Sequence, residues 1–348
     1  MAIVRDNSWR GTPGFLPGTE AVLTDPNAVA RLLALCPAHH ETPLHDSRAL
    51  ADLAGVKSVW IKDERGRMGL GSFKALGAAF VIAREASQAA PTDWAHALQG
   101  RTFVAASAGN HGLSVAAGAR IFGARAVIYI AETVPQAFAD RLASYGADVV
   151  REGAVYEASM DAAEAAASKH GWTLLSDSTW NGYREPARRV MEGYLQLSAE
   201  AARQVPQPPS HILLQAGVGG MAAAVAAHAR QVWGDGPQII VVEPAHAPGL
   251  VESVMAGALV TADGPTSNMG RLDCKTPSIV ALAALAHDAD QFVTITEAEA
   301  SDGVAILAQH GLATTPSGGS GLAALIAGLG LGRQARVLAI LSEGPEDG

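Results

Sequence analysis

The chain has 348 residues, of which 49% are hydrophobic and 17% are charged, and its formal net charge is −9. These values exclude a disordered chain, and the negative charge argues against a surface that binds nucleic acid. The length exceeds what a single hydrophobic core usually serves, so the sequence predicts two lobes.

The amino-terminal stretch MAIVRDNSWRG carries charges at Arg5 and Asp6, where a secretory signal needs an unbroken apolar core. No later uncharged segment is long enough to cross a bilayer. Two cysteines in so long a chain, Cys36 and Cys274, are typical of a reduced protein. We therefore expect a cytoplasmic protein that has no membrane segment.

Short β-rich runs alternate with alanine-rich helical segments along most of the chain. The runs begin at residues 57, 102, 124, 147, 173, 211, 238, 291 and 336. Segments 135–146 and 161–171 are typical of the helices between them. This alternation predicts parallel sheets covered by helices. The proline-rich stretch 204–210 is predicted to be a connection that leads into the strand at 211.

Lys74 stands in an unusual local setting, GLGSFKALGA at residues 69–78. An amine in an apolar, glycine-lined pocket loses solvation, which lowers its pKa and favours its action as a nucleophile or a base. The alternative is a solvated surface lysine in front of a helix.

Three glycine clusters, at 107–112, 215–221 and 315–321, are expected where strands end and ligands bind in open α/β sheets. In the first cluster, backbone N–H groups could hold a carboxylate and Asn110 could donate to a ring oxygen, although a tight turn is equally compatible with the pattern. The second cluster could hold a phosphate. It lacks both the lysine of a nucleoside-triphosphate loop and the GxGxxG spacing of a dinucleotide-binding oxidoreductase.

The lysine, the SAGNHG loop and the glycine loop, in this order, resemble the fold type II pyridoxal-phosphate enzymes, the group of tryptophan synthase β and the serine/threonine dehydratases. Longer stretches resemble the diaminopropionate ammonia-lyases; they are 42–80, 176–194, 215–225, 269–278 and 340–347. The resemblance implies a two-domain α/β fold with open twisted sheets flanked by helices. A large cofactor-binding domain would comprise 1–64 and 171–348, and a small domain 65–170.

The same resemblance implies pyridoxal 5'-phosphate as the cofactor, an amino acid as the substrate and a homodimer as the assembly. Lys74 and Asp177 would be catalytic, with Lys74 bound to the cofactor aldehyde. Further cofactor-binding residues would be Phe73, Asn110, Gly217, Val218, Gly219, Gly220, Met221 and Ser342. Substrate-binding residues would be Ser107, Ala108, Gly109 and His111, of which His111 is expected to be mainly structural. An aspartate that caps a helix and an ordinary strand-end serine are the alternatives for Asp177 and Ser342.

The implied reaction is a β-elimination that converts a β-substituted amino acid, such as 2,3-diaminopropionate, to a 2-oxo acid and ammonia. Two departures keep a second activity open, the dehydration of L-serine, L-threonine or another β-hydroxy amino acid. Ala108 stands where these lyases have an aspartate, and alanine cannot take a proton. Lys275 and Thr276 replace a glycine and a glutamate of the lyases. No HExxH or CxxC spacing occurs, so no catalytic transition metal is predicted.

Overall fold

A computed structural model describes residues 2–89 and 91–345. In this part of the chain, helices cover two separate sheets. The strands are β1 (Ile3–Asp6), β2 (Leu44–Asp46), β3 (Ser58–Asp63), β4 (Thr102–Ala106), β5 (Arg125–Ile130), β6 (Ala147–Arg151), β7 (Thr173–Leu174), β8 (His211–Gln215), β9 (Gln238–Pro244), β10 (Gln291–Ile295) and β11 (Arg336–Leu341).

The α-helices are α1 (Pro26–Leu33), α2 (Arg48–Ala54), α3 (Lys74–Gln88), α4 (Asn110–Ile121), α5 (Gln136–Ser144), α6 (Tyr156–His170), α7 (Glu185–Gly193), α8 (Leu195–Gln204), α9 (Gly220–Trp233), α10 (Gly249–Ala256), α11 (Ile279–Asp288), α12 (Glu297–Gln309) and α13 (Pro316–Gly328). None of them is both long enough and apolar enough to cross a bilayer.

The larger sheet has seven strands in the order β1-β10-β9-β8-β11-β3-β2. Its inner strands are parallel, and the two edge strands, β1 and β2, are antiparallel to their neighbours. All nine strands predicted from sequence are present, whereas β1 and β2 were missed. Both are short and poorly buried, so they lack the apolar run that marks a central strand.

The smaller sheet is parallel and has the order β6-β5-β4-β7. Its last strand, β7, lies beyond residue 170, so this sheet extends past the boundary that was expected for the small domain. The division into domains 1–64 with 171–348 and 65–170 otherwise stays a prediction.

Helix α3, which begins at Lys74, is held very close to α7 by two glycines. A Cβ at Gly77 would lie 2.6 Å from Val190 Cγ1, and a Cβ at Gly193 would lie 2.6 Å from the Leu76 carbonyl oxygen. No real side chain tolerates such contacts, so both positions require glycine for the helices to touch. This packing fixes the amino end of α3 relative to α7.

The carboxyl ends of four strands carry the residues singled out from sequence. Strands β4 and β7 are neighbours in the smaller sheet, and β8 and β11 are neighbours in the larger one. The 107–112 and 215–221 clusters follow β4 and β8, as expected. The expectation is wrong for 315–321, which lies at the amino end of α13 and so follows α12 in the chain, not a strand. There Thr315 caps α13 and Pro316 occupies its first turn, so this cluster starts a helix.

Candidate active site

Lys74 and Asp177 form an ion pair at the amino end of α3. The Nζ atom of Lys74 donates a hydrogen bond to Asp177 Oδ2 and lies 5.4 Å from the centre of the Phe73 ring. The two side chains are 23% and 18% exposed, so the pair is neither on the open surface nor sealed in a core. Lys74 is therefore not a solvated surface lysine.

The expectation that Lys74 has a lowered pKa is wrong for the free lysine. Burial by itself disfavours the ammonium, but the facing Asp177 carboxylate outweighs it and holds the pKa of Lys74 above its ordinary value. Burial raises the pKa of Asp177, and the nearby Lys74 ammonium more than reverses this, so its pKa is lowered. Both groups are therefore charged at neutral pH.

Asp177 lies in the loop that follows β7, eight residues before α7 begins at Glu185, so it caps no helix. The loop is tied to α4 by His111, whose Nε2 atom lies 2.7 Å from the Leu175 carbonyl oxygen and donates to it. Burial lowers the pKa of His111, which favours the neutral ring. His111 therefore has a structural contact, and its role toward a substrate stays a prediction.

The loop after β4 brings Ser107, Ala108 and Gly109 to the amino end of α4. The Gly109 N–H donates to Ser107 Oγ at 3.3 Å. Ala108 and Gly109 line a cavity of about 440 Å³. Asn110, the first residue of α4, donates from Nδ2 to Glu343 Oε2 at 2.5 Å. The loop thus joins the smaller sheet to residues at the end of β11.

The glycine loop from Gly217 to Met221 connects β8 to α9, with its backbone at the amino end of that helix. Gly219 has φ +97°, a left-handed conformation that favours glycine. A Cβ at Gly217 would lie 3.0 Å from both Cys274 Sγ and Leu272 Cα. Val218 accepts a hydrogen bond from the Ser278 N–H at 3.0 Å. Close packing therefore requires glycine at 217, and backbone conformation favours it at 219.

Ser342 and Cys274 have separate contacts, Ser342 with the residue before Lys74 and Cys274 with the glycine loop. Ser342 follows β11 and is buried, and its carbonyl oxygen accepts a hydrogen bond from the Phe73 N–H at 3.1 Å. Burial raises the pKa of the Cys274 thiol to about 11, so the thiol that packs on Gly217 is protonated at neutral pH. The fold thus places Ser342 next to the residue that precedes Lys74.

Sequence reasoning missed Glu343 and Arg271. The buried Glu343 carboxylate accepts hydrogen bonds from Asn110, from Thr315 Oγ1 and from Arg271, whose Nε lies 3.2 Å from Oε2 and whose Nη1 lies 3.3 Å from Oε1. One signal was available for Glu343, because it stands directly after Ser342 at the carboxyl end of a central strand. Arg271 carries no such signal, since it lies in an irregular loop.

The residues present fit a phosphate-bearing aldehyde cofactor. An amine lies in the same site as a glycine loop whose N–H groups open a helix, an arrangement that binds phosphate. The Tyr194 ring packs edge-on against Phe73 at 4.9 Å between centroids, and among the described residues its buried hydroxyl has no hydrogen-bond partner. A buried polar atom without a partner is expected where a ligand completes a site. Fold and site together define an enzyme of the fold type II class.

Comparisons with known proteins agree with this assignment. Residues 35–343 match the family described as pyridoxal-phosphate dependent enzyme, and the chain belongs to that family. Diaminopropionate ammonia-lyase of Escherichia coli (strain K12) is 32% identical over 342 residues, covering 89% of this chain and 85% of its own. L-serine dehydratase/L-threonine deaminase of Homo sapiens is 32% identical over 248 residues, covering 71% of this chain and 70% of its own.

Solved structures extend the comparison to the whole fold. The crystal structure of diaminopropionate ammonia-lyase from Escherichia coli in complex with D-serine is similar, with a TM-score of 0.86 and 29% sequence identity, covering 99% of this chain and 94% of that one. The same values hold for that enzyme in complex with an aminoacrylate-PLP azomethine reaction intermediate. The predicted fold type II class, the pyridoxal-phosphate cofactor and the lyase class of enzyme are confirmed.

Proposed function

We propose that this chain catalyses β-elimination on a β-substituted amino acid such as 2,3-diaminopropionate, releasing a 2-oxo acid and ammonia. The observation that carries the proposal is the Lys74–Asp177 ion pair. Asp177 lies beside the glycine loop, since its carbonyl oxygen is 3.8 Å from a Cβ built at Gly220. An ionised carboxylate that already holds one ammonium is suited to hold the β-ammonium of this substrate.

Pyridoxal phosphate, when bound, supplies an electron sink for the charge that develops at the substrate Cα. In the proposal, Lys74 carries the cofactor, Asn110 and Ser342 contact its ring, with Phe73 beside them, and the amides from Gly217 to Met221 hold its phosphate. The support for Asn110 is its position at the start of α4, where Glu343 fixes the direction of its amide. The 107–110 loop and His111 form the substrate side of the site.

Lys74 is proposed to remove the proton from the substrate Cα, which requires the neutral amine. When the β-ammonium of a substrate binds beside Asp177, this carboxylate faces two cations. Its attraction for Lys74, which raises the pKa of the lysine, is then weaker. Burial, which disfavours the ammonium, then has the larger effect, and the lysine becomes a better base. Asp177 would thus couple recognition of the leaving group to activation of the base.

Dehydration of a β-hydroxy amino acid is the second candidate, and Ala108 supports it. This residue lines the 440 Å³ cavity and, unlike an aspartate, offers no proton acceptor on that wall. The same feature leads us to expect slow turnover of D-substrates. Against dehydration, the lowered pKa of Asp177 keeps it ionised, so it has no proton to give to a leaving hydroxyl.

A panel of L- and D-2,3-diaminopropionate, L- and D-serine and L-threonine tests the two candidates through release of 2-oxo acid and ammonia. We expect L-2,3-diaminopropionate to have the highest kcat/KM. Asp177→Asn should lower its turnover about 100-fold, because the variant loses the counter-ion of the β-ammonium and, with it, the activation of Lys74 as a base. Asp148→Asn, which removes an exposed aspartate paired with Arg125, is the matched control and should leave turnover unchanged.

Turnover of serine or threonine without turnover of diaminopropionate would make dehydration the function of this chain. Unchanged diaminopropionate turnover in Asp177→Asn would refute the proposed role of the ion pair.

A cytoplasmic location and a homodimer are part of this proposal. The two free cysteines, Cys36 in the core and Cys274 beside the glycine loop, support a reducing compartment. The mass of the purified holoenzyme in sedimentation equilibrium tests the dimer, and fractionation of expressing cells tests the location.

A further inference from the structure

A cavity of about 440 Å³ opens between the loop that carries Ala108 and Gly109 and two segments of the larger part of the chain, 268–271 and 314–317. Of the described residues that line it, Arg271 alone carries a charge. The chain as a whole has a formal net charge of −9. A small anion therefore needs a local source of positive potential to enter this cavity.

Contacts behind the guanidinium hold Arg271 in place. Its Nε and Nη1 atoms lie 3.2 and 3.3 Å from the two carboxylate oxygens of Glu343, and its backbone N–H donates to Ser317 Oγ at 3.1 Å. The Glu343 side chain is 6% exposed, whereas that of Arg271 is 26% exposed. The carboxylate is thus buried in the wall, and the exposed part of the cation belongs to the cavity.

The negative charge of Glu343 is shared among several donors. Besides Arg271, it accepts hydrogen bonds from Asn110 and from Thr315. Two helices also begin at this cavity, α4 at Asn110 and α13 at Pro316, and helix amino ends favour negative charge. The cavity wall as a whole therefore favours an anion.

Arg271 is adjacent to the 107–110 loop, since a Cβ built at Gly109 would lie 3.9 Å from Arg271 Nε. Backbone N–H groups of such a loop can accept a carboxylate, but each of them offers only a partial charge. A guanidinium offers a full charge and a planar fork that matches the two oxygens of a carboxylate. Ala108 on the same wall is neutral and does not compete for that charge.

We propose that Arg271 is the counter-ion of the substrate α-carboxylate and that Glu343 positions it. The inference depends on the proposed function only in that the ligand is an amino acid. It adds a charged side chain to the backbone loop and assigns a substrate-binding role to a residue outside all three glycine clusters.

The test measures binding separately from elimination, with ligands that have no β leaving group. L-Alanine and L-alaninamide differ in the charge of the carboxyl group and have the same methyl side chain. Each is titrated into the holoenzyme, and the change in cofactor absorbance gives Kd. For Arg271→Gln we expect the Kd of L-alanine to rise about 10- to 100-fold and that of L-alaninamide to stay unchanged, because only the first loses a charge-assisted hydrogen bond.

Two further variants complete the design. Arg271→Lys keeps the charge but not the fork, so L-alanine should bind with intermediate affinity. Arg120→Gln removes an exposed arginine from the wall of a different cavity, and we expect no change in either Kd. In turnover of the best substrate, Arg271→Gln should raise KM and keep kcat, since uniform binding energy is lost.

Equal weakening of both ligands in Arg271→Gln would mean that Arg271 only supports the fold, and unchanged binding of L-alanine would exclude it from carboxylate recognition. Either result overturns the proposal. Should Arg271→Gln fail to fold, Arg271→Lys provides the same comparison. A larger rise in the Kd of L-alanine than in that of L-alaninamide supports the proposal, and an equal change in both overturns it. A failure of β-elimination itself would leave both titrations interpretable, so the two proposals fail separately.

Discussion

The lysine–carboxylate pairs Lys62–Glu200 and Lys74–Asp177 have opposite surroundings. Lys62 contacts Glu200 at 2.7 Å, and both side chains are 0% exposed. Its Nζ atom also donates to the Thr42 carbonyl oxygen at 2.6 Å and to Gln204 Oε1 at 2.9 Å. Lys74, by contrast, hydrogen-bonds to Asp177, and both of these side chains are partly exposed.

The directions of the pKa shifts differ as well. Burial lowers the pKa of Lys62 even though Glu200 opposes it, whereas Asp177 raises the pKa of Lys74. Glu200 is shared with a second cation, because Arg67 also donates to it and to the buried Glu64. The comparison indicates that a lysine with three fixed acceptors serves the fold, whereas a lysine with one carboxylate partner can exchange that partner for a substrate.

The largest expected effect is the loss of enzyme activity when Lys74, the lysine paired with Asp177, is replaced. Lys74→Ala should lower β-elimination by a factor of about 1000 or more and abolish the visible absorbance of the lysine-bound cofactor, since both the attachment point and the base are lost. The melting temperature should also fall, because Asp177 loses the ammonium that offsets its burial. Absorbance spectra, turnover assays and thermal unfolding check these outcomes. Retention of the visible band would contradict the central assignment.

The second effect is a loss of folding stability when Glu200, the carboxylate paired with Lys62, is replaced. Glu200→Gln should lower the free energy of unfolding by about 3–5 kcal/mol, because it leaves Lys62 and Arg67 with less compensation in a buried site. Urea denaturation measures the loss. Glu41→Gln, which removes an exposed partner of Arg203, is the matched control and should cost about 1 kcal/mol or less. A loss in Glu200→Gln no larger than in this control would contradict the structural role of the buried pair.

The smallest effect concerns a buried carboxylate that the structure pairs with backbone N–H groups. Glu243 accepts from the Leu250 and Val251 N–H groups at the start of α10, each at 2.8 Å. Burial raises its pKa from 4.5 to about 8. The folded state then binds more protons than the unfolded state between these values, so the contribution of Glu243 to stability is full below pH 4.5 and is lost as the pH rises through 8.

Glu243→Gln should therefore unfold with a melting temperature that changes less between pH 5 and pH 8.5 than that of the wild type. In Glu41→Gln the melting temperature should change with pH as it does in the wild type, since the Glu41 carboxylate is exposed. Thermal unfolding at several pH values checks the difference. Parallel curves for Glu243→Gln and the wild type would show that the carboxylate stays ionised on the two N–H groups.

Much of the fold was predictable because its signals are local. The central strands, β8 and β11 among them, are continuous apolar runs that are recognisable without their neighbours. The edge strands β1 and β2 are paired on one side and poorly buried, so their existence depends on the strands beside them. The sequence predicts a strand end at 315–321 because a glycine-rich segment has the same pattern whether it follows a strand or starts a helix.

For the site, the sequence by itself determined the local motifs, namely the lysine setting around Lys74, the loop before Asn110 and the glycine loop after β8, since each is specified by residues a few positions apart. Only the tertiary structure decided that Asp177 faces Lys74, that the pKa of Lys74 is raised, and that Arg271 and Asn110 both contact Glu343 beside one cavity. Charges interact through space, so the state of an ionisable group depends on partners 72 to 233 positions away, and short-range patterns carry no information about them.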